Sequence, residues 1–216
     1  MIQLTNIEKR LDSIDILKNI NLNINRGEIV QIKGVSGSGK STLLNIIASL
    51  MKPTSGEVNI DGENIALLSD IYSSQYRRDK IGFITQSFYL FDALSVQENL
   101  LVPTVISEMN CDEVQQKIDT ALKMANIFHK KEQKVATLSG GEKQRTVIAR
   151  AIVNNPNIIL CDEPTANLDR DNALLFIEII KKFKNSGKTV VIATHDTLFE
   201  TQNIIDKTIL IKDGKI

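Results

Sequence analysis

Residues Gly34 to Ser41 read GVSGSGKS, and few stretches of eight residues restrict a chain so tightly. Three glycines, a lysine and a hydroxyl match the spacing G-x-x-x-x-G-K-[ST] in full. The flanks supply the setting this spacing needs. EIVQIKG before it is a short β-rich run, and STLLNIIASL after it carries apolar residues at helical intervals. A strand that turns into a helix around Gly34, Gly37 and Gly39 brings backbone N–H groups together with no Cβ in the way. The helix N-terminus adds partial positive charge. Lys40 is placed to reach the β- and γ-phosphates of a nucleotide and Ser41 to offer its hydroxyl to Mg²⁺. Val35, Ser36, Ser38 and Thr42 complete the expected loop, which points to ATP or GTP binding.

Around this loop the pattern alternates. Ile20, Leu22 and Ile24 interleave with asparagines, SGEVNIDGENI reads as a strand and turn, and a polar helix is expected over about Ser69 to Lys80. IGFIT, NIILCDE, KTVVIATH and KTILIKDGKI read as strands, with a helix from about Asn172 to Asn185. Between about Ser87 and Asn155 strand signals vanish. There Ser95 and Glu98 form a capping box, and Val114, Ile118, Ala121, Leu122 and Ala125 share one helix face. The expected fold is α/β, a phosphate-loop NTPase core with a mainly parallel sheet, an N-terminal antiparallel β subdomain and an inserted α-helical subdomain. A single domain is expected over 1–216, with its core at about 1–86 and 156–216 and its helices at about 87–155.

Bulk properties narrow the partners. Lys plus Arg balances Asp plus Glu at 26 each, so no bulk affinity for nucleic acid or anionic membrane is expected. MIQLTNIEKR lacks a hydrophobic signal core, and LLNIIASLM is far short of the roughly 20 apolar residues of a membrane span. A membrane role would come through a partner. Cys111 and Cys161 make neither a disulfide framework nor a metal cluster.

Phosphoryl transfer with Mg²⁺ also calls for a carboxylate at the metal and a group to prepare water. IILCDEPT offers both at a strand end: Asp162 as the metal-side acid and Glu163 as the general base. Gln86 and His195 each follow an apolar strand and would emerge at the same sheet edge. A second glycine turn, LSGGEKQR, opens another helix. Ser139 and Glu142 form its capping box, and Gly140 and Gly141 leave bare amides for an anion. Only one nucleotide loop is present to serve it.

Taken in order, GVSGSGKST, Gln86, LSGGEKQR, IILCDEPTANLD and His195 resemble the nucleotide-binding domain of ABC transporters over essentially the whole chain. That resemblance implies an ATP-dependent head-to-tail homodimer, in which Lys40 and its loop hold ATP while Ser139, Gly140, Gly141 and Glu142 of the other copy close over it. It implies that Gln86 touches Mg²⁺ or water, that Asp169 runs along the dimer seam, and that His195 contacts the γ-phosphate. Two positions depart from the usual pattern. Glu142 stands where glutamine is common, and Leu11 stands where many members stack adenine on an aromatic ring. The first aromatic residue here is Tyr72, so modest affinity and loose discrimination between ATP and GTP are expected.

QSFYLFDALSVQENLLVP further resembles the branch of lipoprotein-releasing, macrolide-export and antimicrobial-peptide systems. The implied role is an ATPase subunit, cytoplasmic and peripheral on the membrane's inner face, driving a separate permease in export. Importer, force-transmitting and soluble ABC roles stay open at this level. Phe83, Phe88, Tyr89 and Phe91 cluster where the helical segment begins. Packing accounts for Phe83; the other three admit either packing or a groove for a permease helix.

Overall fold

In the computed structural model, which describes residues 1–105 and 109–216, a parallel sheet divides the apolar side chains into two cores. Its five strands stand in the order β6 (Ile81–Ile84), β7 (Ile158–Asp162), β8 (Thr189–Ala193), β3 (Ile29–Lys33) and β9 (Lys207–Leu210). The central strands are nearly continuous apolar runs, as parallel strands covered on both faces must be. Alternation along each strand sends Ile29, Ile159, Val190 and Ile192 to one core and Val30, Ile32, Leu160 and Val191 to the other.

The second of these cores is closed by an antiparallel sheet of β2 (Ile14–Ile24), β1 (Ile2–Leu11), β4 (Ser55–Ile60) and β5 (Glu63–Asn64), in that spatial order. Helix α1 (Lys40–Ile47) buries Leu43, Leu44, Ile46 and Ile47 in this core. On the opposite face lie α3 (Val96–Leu101), α4 (Cys111–Met124), α5 (Gly140–Ile152) and α6 (Arg170–Asn185). Phe176 of α6 meets Phe199 of the short α7 (Leu198–Thr201) edge to face, with centroids 6.2 Å apart. Helix α2 (Asp70–Lys80) is polar, and Ser73 is its one buried side chain.

The expected fold class holds: an antiparallel N-terminal sheet, a parallel sheet and a run of helices. Both anticipated capping boxes form, Ser95 with Glu98 and Ser139 with Glu142. A third, Asn110 with Glu113, opens α4, although NCDE lies too close to polar neighbours to stand out in the sequence. Helix α6 starts two residues before its expected start because Asp169 caps it, accepting from the Asn172 amide at 2.8 Å.

Because β6, β7, β8 and β3 all run in one direction, their C-terminal ends share an edge. Residues far apart in sequence therefore emerge side by side: Gln86, Asp162, His195 and the loop after Lys33.

Candidate functional site

The glycine loop between β3 and α1 is shaped by two close approaches. Gly39 has φ of 105°, and a Cβ there would lie 2.8 Å from a Leu17 methyl and 3.1 Å from the Ile16 carbonyl. Only glycine lets the loop rest on β2 in that conformation. No side chain caps α1, so its first amides remain for a ligand. Lys40 is buried and folds back on its own loop, donating to the carbonyls of Gly34 at 2.8 Å and Val35 at 3.2 Å. Its Nζ also lies 3.8 Å from Glu163 Oε1.

At the neighbouring strand end, the Ser41 hydroxyl donates to Asp162 Oδ1 at 3.0 Å. Burial pushes the Asp162 carboxyl above its ordinary range, opposed by that hydrogen bond. Two hard oxygen donors this close suit Mg²⁺, which is commonly bound through one or two protein groups plus water and phosphate oxygens. Among the described residues no group of three or more His, Cys, Asp or Glu side chains is placed to hold a metal.

Glu163 takes the left-handed region, φ 45°, a conformation that a non-glycine residue keeps only under constraint. The constraint is visible. Its amide donates to the Ala193 carbonyl at 2.8 Å, its Oε2 accepts from the Thr194 hydroxyl at 2.9 Å, and its Oε1 lies 3.0 Å from His195 Nδ1. Thr194 is fully buried and His195 is largely exposed. Asp196 ties the two loops together, its Oδ2 accepting from Thr165 at 2.8 Å and its amide donating to Thr194 Oγ1 at 3.1 Å.

These groups surround a cleft of ≈ 440 Å³. Ser36, Gly37, Gly39, Lys40, Ser41 and Thr42 form one side, and Gln86, Glu163 and His195 form another. Asp162 lies behind Ser41. Gly34, Val35 and Ser38 shape the loop without lining the cleft; Ser38 is buried and Val35 is exposed. Leu11 stands at the hairpin end of β1, paired with Ile14, and does not line the cleft; Ile16 does.

The second glycine turn lies outside this cleft. Ser139 caps α5, and a Cβ on Gly141 would come within 2.6 Å of the Asn172 side chain. Asn172 is itself held by Asp169 and by Arg145 at 2.6 Å, so Gly141 is what allows α5 and α6 to meet. A Cβ on Gly140 would meet nothing within 4 Å. Gln144 of α5 donates to the Pro164 carbonyl at 3.0 Å, fastening the helix behind the Glu163 loop.

Comparison with known proteins turns this geometry into a family. A family model described as ABC transporter matches residues 17–166. The chain belongs to the ABC transporter family. It is 43% identical to the ATP-binding protein MJ0796 of Methanocaldococcus jannaschii, covering all of this chain and 95% of that protein. The dimeric structure of that ABC cassette superposes with a TM-score of 0.92, covering all of this chain and 96% of the other. The same cassette has been solved dimeric in a post-hydrolysis state with ADP and Pi. The macrolide export protein MacB of Campylobacter jejuni is 42% identical over the whole chain, which spans 33% of MacB. The lipoprotein-releasing protein LolD of Bacteroides fragilis is 38% identical over the full length of both.

As an ABC cassette the chain binds ATP and hydrolyses it. Ile16, Thr165, Thr194, Asp196 and Gln144 belong to the site or its support without a residue type or spacing in the sequence that marks them. Ile16 sits on a strand 18 residues before Gly34, and no local motif marks it. Thr194 and Asp196 flank His195 directly, so their signal is proximity to a strand end.

Proposed function

We propose that this chain is the ATPase subunit of a multi-component ABC exporter, working with Mg²⁺ as a head-to-tail homodimer on the inner face of a membrane. The observation that carries this reading is the separation of two anion sites in one chain. One is complete around Lys40; the other, Ser139–Gly141, contributes nothing to that cleft and has at Gly140 a glycine whose missing side chain makes room for nothing in its own chain. A second copy related by a two-fold axis brings each turn over the other's nucleotide. The relatives described as macrolide-export and lipoprotein-releasing support the export branch.

In this scheme the amides from Ser36 to Ser41 and the Lys40 ammonium bind the triphosphate. Ser41, Asp162 and Gln86 would hold Mg²⁺, which would supply charge neutralisation on the phosphates. Glu163 accepts the proton of the attacking water, and His195, already on Glu163, keeps the carboxylate oriented toward it. Residues 87–155 act as a helical subdomain that carries the second turn. Among the described residues no helix is long and apolar enough to cross a membrane, and in this scheme the permease is a separate component. Tyr89 and Phe91, both exposed, offer it a contact surface.

The test is capture. Glu163→Gln protein is expressed in its native cell, membranes are solubilised gently with Mg·ATP present, and co-purifying proteins are identified. Recovery of a multi-span permease is expected, and the permease's architecture then separates export from import. Reproducible recovery of soluble partners alone would sink the transport assignment.

A further inference from the structure

Glu142 occupies the third position of α5, inside the turn that the proposed dimer presents to a phosphate. Its two carboxylate oxygens are divided between different partners. Oε2 accepts from the Ser139 amide at 2.8 Å and from the Ser139 hydroxyl at 3.0 Å. Oε1 lies 3.2 Å from the Lys130 ammonium, and the two side chains are only 18% and 30% exposed. Lys130 closes the short turn Phe128–Lys130 that precedes the glycine stretch. Its neighbour Lys131 leans instead on Asp119 and Glu132, at 3.8 Å and 3.9 Å. Two adjacent lysines are thus sorted, and one of them is committed to Glu142.

A carboxylate in a first helical turn favours the helix dipole and completes the cap. In an anion site the same charge works against the ligand, since like charges a few ångströms apart repel strongly in partly buried surroundings. A glutamine at this position would cap without that conflict. We propose that Lys130 is a positioning residue for the second nucleotide contact: clamped on Glu142, it neutralises the carboxylate the cap uses, so that Ser139 to Gly141 meet the partner copy's triphosphate without a net negative charge. This rests on the head-to-tail dimer proposed above.

The experiment uses full-length protein carrying Glu163→Gln, with ATP titrated and dimer formation followed by sedimentation velocity. ATP binding to the monomer is measured separately at protein concentrations too low to dimerise. The parent is expected to dimerise with ATP. Adding Lys130→Ala raises the ATP concentration for half-maximal dimerisation by about fivefold, the upper end for a pair of this exposure, with monomer binding unchanged. Lys130→Arg stays near the parent. Glu142→Gln, which keeps a capping side chain and removes the charge, restores the Lys130→Ala protein to parental behaviour. If Lys130→Ala dimerises like the parent, or if Glu142→Gln fails to rescue it, Lys130 has no such role. If the parent itself stays monomeric in ATP, the dimer reading falls and takes this inference with it.

Discussion

Glu163 is held at both carboxylate oxygens by residues of the next strand's end, which suits the role of base proposed for it. Glu163→Gln preserves the size of the side chain and an acceptor for Thr194 while removing the basic oxygen. Hydrolysis is expected to slow by roughly 10²-fold or more, with Mg·ATP binding retained, as phosphate-release assays and nucleotide titration will read. Near-normal turnover would remove Glu163 from the role of base. The Asp196 carboxylate reaches the Glu163 loop through the Thr165 hydroxyl, while its link to Thr194 runs through the backbone amide that a substitution leaves in place. Asp196→Ala is expected to lower kcat by about tenfold, worth about 1.4 kcal/mol, and leave the KM for ATP unchanged; Asp196→Asn, which keeps one acceptor, lies between. A rise in KM instead would place Asp196 in nucleotide binding. Lys40, Ser41 and Glu163 were legible in the sequence because their chemistry demands a particular atom at a particular spacing. Thr165 and Asp196 were not, since a hydroxyl and a carboxylate near strand ends look like any polar turn until the two strands are known to be neighbours.

At the scale of elements, the start of α5 is where local and tertiary demands meet. Gly140→Ala and Gly141→Ala are chemically identical changes with different expected outcomes. The second drives a methyl into an Asn172 side chain pinned from two directions and should destabilise the protein by about 1 to 3 kcal/mol. The first should leave the melting temperature almost unchanged and reduce ATP-dependent dimerisation. Equal melting temperatures for the two would refute the packing account. The cap itself is sensitive to acid. The Ser139 amide holds the Glu142 carboxyl below its ordinary value of 4.5. A folded value below the unfolded one means the cap's contribution is present above that ordinary value and is lost as pH falls toward the folded one. Glu142→Gln should therefore flatten the loss of urea stability on the acid side of 4.5; an unaltered slope would contradict it. The two Ser–Glu capping boxes could be read directly, as S-x-x-E is a local signal. The contact of Gly141 with Asn172 could not, because it depends on how two helices cross.

For the whole molecule, the alternation of strands and helices announced a parallel sheet, but the order β6–β7–β8–β3–β9 is invisible in runs of valine and isoleucine that look alike. The aromatic cluster shows the same limit. Phe83 and Phe88 pack against the two different cores, while Tyr89 and Phe91 stand exposed. What sets the exposed pair is distant: buried Asn99 binds the Phe91 backbone on both sides, and Arg150 of α5 donates to the carbonyls of Phe88 and Tyr89. Tyr89→Ala and Phe91→Ala should each change folding stability by no more than about 0.5 kcal/mol and leave soluble ATPase activity intact, while weakening recovery of the permease. Loss of soluble activity in step with permease binding would show that these rings serve the core.

That grip of Arg150 has a mechanical consequence. Ser139 opens α5 and Arg150 lies near its other end, roughly 16 Å away at 1.5 Å per residue. A hydrogen-bonded helix of this length is stiff, so the glycine turn and the exposed aromatic loop sit at the two tips of one rod, and in the proposed dimer a shift of the near tip would be carried to the far one.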